Sequence, residues 1–184
     1  MAYERGDLEG AKRYHGQALA IRQKLAPDSL DVAASLANLG NVACSRGDLE
    51  GPRRYYEQAL AIIQRLAPDS LDVARSLNGL ASVAWIRGDL EGAQRYHEHA
   101  LAIRQVLAPD SLEVAESLTG LAATARRGVR PADAARQAEE ALAIQERQRG
   151  ALHSAESRSL LTEQNAQPFG VLEAWPKSLY SNCL

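Results

Sequence analysis

Apolar and polar positions alternate along this chain with the period of a helix. From Leu49 the apolar or small residues fall at Pro52, Tyr56, Ala59, Leu60, Ile63 and Leu66. Steps of three and four place them on one face of a 3.6-residue helix. Asp48 is suited to cap this helix, Glu50 sits near the positive end of its dipole, and Pro52 falls in the first turn. Pro68 stops it, because proline has no N–H to continue the ladder and biases its predecessor toward extended backbone. A second helix is predicted from about Ser70 to Ile86, with Leu71, Val73, Ala74, Leu77, Leu80, Ala81 and Ala84 as its buried stripe. Either Asp69 or Ser70 can cap it, and Gly88 supplies the left-handed residue that commonly ends a helix.

The two-helix pattern recurs. Ala-Leu-Ala-Ile begins at Ala18 and returns nearly unchanged at Ala59, Ala100 and Ala141, always 41 residues on. Arg-Gly-Asp-Leu-Glu-Gly begins at Arg5, Arg46 and Arg87, and Leu-Ala-Pro-Asp-Ser-Leu at Leu25, Leu66 and Leu107, with the same step. A pair of antiparallel amphipathic helices cannot bury both its faces alone, so pairs stack. The expected fold class is all-α: an α-solenoid of antiparallel helix pairs with a concave and a convex surface. The pairs fall at about 29–66, 70–107 and 111–149, preceded by an orphan helix at about 7–25. After Gly150 the period fails. Residues 151–167 are expected to form a capping helix, and residues 168–184, with Pro168, Phe169, Trp175 and Pro176, a poorly ordered tail.

Those repeated residues resemble the tetratricopeptide repeats. Leu39-Gly40, Pro52, Tyr56 and Ala59 follow the family's Leu-Gly, Ala, aromatic, Ala signature. Leu80-Ala81, Ala93, His97 and Ala100 follow it in the next unit, and Leu121-Ala122, Ala134, Ala138 and Ala141 in the third. Pro52 departs at a small-residue position, and His97 and Ala138 depart at the aromatic one. The unit is longer than the usual 34 residues. With Leu-Ala-Pro-Asp-Ser-Leu-Asp-Val-Ala in the connection, it is similar to the kinesin-light-chain type over about residues 1–149. Residues 130–150 are also similar to the last repeat before a caspase-like CHAT protease domain in large bacterial proteins.

Composition narrows the function classes. Lys and Arg total 21 against 23 Asp and Glu, so the formal charge is −2, without the basic footprint of a nucleic-acid binder. Two cysteines, Cys44 and Cys183, make no disulfide framework, and a reducing compartment is the default. No basic and apolar leader opens the chain. The apolar stretch at Leu80–Ile86 is far short of the roughly 18 residues that span a bilayer. A soluble cytoplasmic protein is expected, with no nucleic-acid or membrane partner.

Three motifs tempt a chemical reading. Arg-Gly-Asp in an extracellular loop would suggest adhesion, but here each copy falls at a helix-to-helix turn that needs Gly as a stop and Asp as a cap. His97 and His99 form His-x-His, yet residues two apart on a helix point to different faces, and nothing completes a metal-ligand set. His15 and His97 stand at the position of Tyr56, where packing accounts for them. Cys44 lies in a helical Val-Ala-Cys-Ser context without the loops of nucleophilic catalysis, and the glycines fall singly, which gives no phosphate loop. Neither catalysis, a cofactor nor a metal is expected.

The resemblance implies a protein-interaction scaffold that holds a peptide or partner helix in its concave groove. In this family the first helix of each pair lines that groove. By helical face these are Ala37, Asn41 and Cys44, then Arg75, Asn78, Ser82 and Trp85, then Thr119, Ala123 and Arg126. Asn41, Asn78 and Ser82 offer hydrogen bonds to a peptide backbone, Trp85 an apolar anchor, and Arg75 or Arg126 a partner for a carboxylate. The alternative is a regulatory or substrate-recruiting fragment of a larger enzyme such as a CHAT-type protease. Met1 aligns with Val42, so the helix at 7–25 is expected to lack its hairpin partner. Its uncovered stripe of Leu8, Ala11, His15, Ala18 and Leu19 would favour self-association or fraying.

Overall fold

The computed structural model describes residues 8–45 and 50–152. They form seven helices: α1 Leu8–Leu25, α2 Leu30–Ser45, α3 Glu50–Leu66, α4 Leu71–Arg87, α5 Leu90–Leu107, α6 Leu112–Arg127 and α7 Pro131–Leu152. The described residues contain no strand. The last helix, α7, runs through Gly150 to Leu152. The predicted capping helix, the tail, the Asp48 cap and the first two Arg-Gly-Asp copies lie outside the described residues.

Helices pack as pairs, α2 on α3, α4 on α5 and α6 on α7, and each outer helix also meets the next pair's first helix. Contact passes directly from α2 to α4 and from α4 to α6, with nothing comparable between α3 and α5 or α5 and α7. The first helices therefore form the inner layer of a curved stack. Alanine makes this close approach feasible: Ala33, Ala59, Ala74, Ala81, Ala93, Ala100 and Ala122 are all fully buried. A core of Val32, Leu36, Ile63, Val73 and Leu77 joins the first two pairs, and Val114, Leu118, Ala141 and Ile144 close the third.

The connections repeat as well. Ser29 and Ser111 hydroxyls accept from the N–H groups of Val32 and Val114, each 3.3 Å. Ser70 is the N-cap residue of α4, but its hydroxyl donates instead to Ala67 O, 2.7 Å. At Arg87-Gly88-Asp89, Gly88 takes φ 83°, Asp89 N–H donates to Ala84 O, and the Asp89 carboxylate accepts from Gly92 N–H at 2.8 Å. This Arg-Gly-Asp is a helix stop followed by a helix cap, which explains its residue types without an adhesion role. In the next unit the left-handed conformation stays 41 residues on, at Val129 with φ 56°. The repeat position sets the turn even where the residue there is β-branched.

Candidate functional site

The inner layer is built around rings that rise from the outer helices. Tyr56 of α3 lies between the inner helices α2 and α4. A Cβ at Gly40 would come within 2.8 Å of its ring, and one at Gly79 within 2.6 Å. Its hydroxyl donates to Asn41 Oδ1 at 2.6 Å, and burial raises the phenol pKa. His97 of α5 occupies the same repeat position, 3% exposed, against Gly120, where a Cβ would meet the imidazole at 2.4 Å. Nδ1 stands 2.8 Å from Asn78 Oδ1, so the Nδ1–H tautomer donates to the amide. Desolvation, helped by the nearby Arg104 charge, lowers the His97 pKa to about 3. His99 is exposed while His97 is buried, so the His-x-His pair does not converge.

Between the first three turns of α2 and the first two of α4 the inner face holds a cleft of about 130 Å³. Ala34, Ala37, Asn38 and Asn41 form one wall, Asp72, Arg75 and Ser76 the other, with Tyr56 and Ile63 beneath. Arg75 is exposed and paired with Asp72 at 2.9 Å. The cleft thus joins an apolar floor with carboxamides, a hydroxyl and a guanidinium.

The next position along the layer is built differently. Arg104 of α5 is 2% exposed. It donates to Glu113 O at 2.7 Å and Ser117 Oγ at 2.8 Å, and pairs with Glu116 at 3.0 Å. Thr119 and Ala123, expected along the groove, are buried at 8% and 2%, as is Cys44. These three do not contribute open surface. The Thr119 hydroxyl is turned back onto Ala115 O.

This geometry can be set beside known proteins. The family model for the tetratricopeptide repeat matches residues 1–65, 53–105 and 72–147. The chain belongs to the tetratricopeptide repeat family. Its fold is similar to that of BtubC (BKLC) from P. vanneervenii, with 27% identity and a TM-score of 0.72 over 79% of this chain and 59% of that one. It is also similar to the TPR-like repeats of a Podosopora anserina protein described as a kinesin light chain, at 22% identity and TM-score 0.66. That match covers 77% of this chain and 69% of the other. The chain therefore spans about three-fifths of the BtubC structure. No curated protein matches it.

Within this tetratricopeptide array, Asn41 and Arg75 line one cleft. Asn78 and Ser82 share one stretch of α4, where the Ser82 hydroxyl donates to Asn78 O at 3.1 Å. Trp85 is half-buried beneath Arg127, whose guanidinium lies 4.7 Å from the ring centroid and also donates to Trp85 O. One indole face is thus committed to an inter-repeat contact. Arg126 is exposed at the end of α6.

Sequence reasoning missed Asn38, Asp72 and Ser76 on the cleft walls, and Arg104 and Arg127 as inter-repeat ties. A signal existed for Arg104. Arg22 and Ser35 stand thirteen residues apart, as do Arg104 and Ser117, whereas Ile63 occupies the place between. Among the described residues no helix is long and apolar enough to cross a membrane. No three His, Cys, Asp or Glu side chains there gather as a metal site would need.

Proposed function

We propose that the chain is a non-catalytic interaction scaffold of the cytoplasm whose concave face binds an extended peptide segment of a partner protein. The α2–α4 cleft supports this most: it lies on the inner layer and carries an amide donor that the described fold does not use. Tyr56 takes the Oδ1 of Asn41, and no described residue accepts from the Asn41 amide nitrogen, which is left to donate to a peptide carbonyl. Arg75 offers a guanidinium to a carboxylate beside it. Trp85 contributes an apolar edge further along the layer. To test this, a peptide library is screened against the full chain, and hits are re-measured on Asn41→Ala, Arg75→Glu and the outer-face control Gln58→Ala. Loss of roughly tenfold or more in the first two alone supports the reading. Equal binding by all three variants defeats it.

A second reading concerns α1. Tyr14 and Ile21 are 62% and 59% exposed, while their counterparts 41 and 82 residues on, Tyr55 with Ile62 and Tyr96 with Ile103, pack on the core. We propose that this face associates with another copy of the chain. Light scattering on a sizing column then shows a dimer or larger species that Ile21→Glu returns to monomer; a monomeric parent chain rejects the reading.

A further inference from the structure

The ties that hold one repeat to the next are unevenly distributed, and the gap coincides with the cleft. At the joint between α1 and α2, Arg22 donates to Asp31 O at 3.2 Å and to Ser35 Oγ at 2.6 Å. Arg65 of α3 also holds Asp28 of the α1–α2 connection, at 2.7 Å. At the joint between α5 and α6, Arg104 makes the equivalent bonds to Glu113 O and Ser117 Oγ and adds Glu116. There Arg147 and Gln148 hold Asp110, at 2.6 and 2.8 Å. Between α3 and α4 both arginines are replaced: Ile63 stands where Arg22 and Arg104 stand, and Val106 where Arg65 and Arg147 stand. Val106 is 80% exposed. Among the described residues Asp69 and Ser76 make no side-chain bond across this joint, and the Ser70 hydroxyl and Arg75 guanidinium bond only locally.

Toward its opposite edge the same joint keeps an ion pair, Arg87 of α4 with Glu50 of α3. One edge is tied by that ion pair; at the other, where residues 67–70 join the helices, no side-chain bond crosses among the described residues and the packing is apolar, which is the construction of a hinge. Apolar contact is non-directional, whereas a buried guanidinium with fixed acceptors resists sliding. We propose that the α3–α4 joint is the flexing joint of the array, pivoting about the Glu50–Arg87 edge. The α2–α4 cleft spans this joint, one wall on each side, so the pivot changes the width of the cleft. The α4–α6 position, bolted from below by Arg104, stays fixed. This goes beyond peptide binding and holds whether or not a peptide enters.

Hydrogen exchange on the free, full chain tests it. Amides of residues 67–76 are expected to exchange on the order of tenfold faster than those of 108–117, because two buried side-chain bonds oppose opening only at the second. Ile63→Arg with Arg75→Glu transplants the Arg104–Glu116 bolt and is expected to remove most of that difference. Val106→Arg, at an exposed position safe for folding, restores only the Asp69 tie and slows residues 67–76 by roughly two- to threefold. Equal exchange at the two connections in the parent chain overturns the proposal. So does a folded Ile63→Arg/Arg75→Glu chain in which residues 67–76 still exchange as before. Should that double variant fail to fold, no slowing in Val106→Arg overturns it equally.

Discussion

The first and second helix pairs place different rings in the same socket. Tyr56 and His97 stand 41 residues apart, are both buried, and both press on a glycine of the following first helix, Gly79 or Gly120. Their polar tips land one turn apart. The longer tyrosine reaches Asn41, whereas the shorter imidazole reaches Asn78, four residues before Ser82, the counterpart of Asn41. The repeat thus fixes a volume and its opposite wall, and each unit finds its own acceptor. The chemistry carried by the two plugs differs too. A buried phenol is neutral throughout the physiological range, and a buried imidazole is neutral only while pH stays above its depressed pKa.

The sockets themselves give the largest expected effect. Gly79→Val and Gly120→Val each drive a branched side chain into a ring that has packing on its other side. Overpacking of this kind costs about 1–3 kcal/mol, and the 2.6 and 2.4 Å approaches of a bare Cβ place both at about 3. Chemical denaturation measures it. A cost below about 1 kcal/mol at either site would mean that the ring swings out and the socket is not rigid.

Acid separates the plugs. His97 has a folded pKa of about 3 against 6.5 unfolded, so the unfolded chain binds the extra proton between those values. Stability therefore rises with pH in that window and is lost as pH falls. Between pH 7 and pH 5 the loss from this one group is about 2 kcal/mol. The parent chain should show that slope, and His97→Tyr with Ser82→Asn, which copies the first pair's plug and acceptor, should lack most of it. An unchanged slope in the double variant would place the acid sensitivity elsewhere.

Tyr56→Phe keeps the volume and removes the hydroxyl. The Asn41 oxygen then loses its donor while remaining able to reach solvent through the cleft, so the cost is about 1 kcal/mol. It should be the same at pH 5 and pH 7, unlike any change at His97. Thermal unfolding at both pH values reads the two numbers together.

Most of the fold was legible before the structure because three markers shared one period and the helical faces followed from it. Stops and caps were legible where Gly88 and Asp89 carried them. The inner surface was legible only in part. Helical face picked out Asn41 and Arg75, but it could not show that Thr119, Ala123 and Cys44 are buried, since burial of an inner position depends on what crosses above it. Arg104 escaped because a charged residue at a buried position reads as an outward one until its acceptors on another helix are known. The Tyr56–Asn41 and His97–Asn78 bonds join different helices and leave no mark in the local pattern.

Asn38 occupies the place of Gly79 and Gly120 in the first pair, and it sharpens the comparison with the smallest effect and the opposite sign. The ring that corresponds to Tyr56 and His97 below it is His15 of α1, which is only half-buried. Nothing there demands a bare backbone. Asn38 is exposed on the cleft wall, with no hydrogen bond of its own among the described residues. Asparagine in a helix interior is less favourable than alanine by about 0.5 kcal/mol, because its short side chain competes for backbone groups. Asn38→Ala should therefore raise the stability by about that amount, whereas adding a side chain at Gly79 or Gly120 lowers it severalfold more. A loss of 1 kcal/mol or more on Asn38→Ala would reveal that the first socket is as closed as the other two, and that the glycine rule extends to every inner helix.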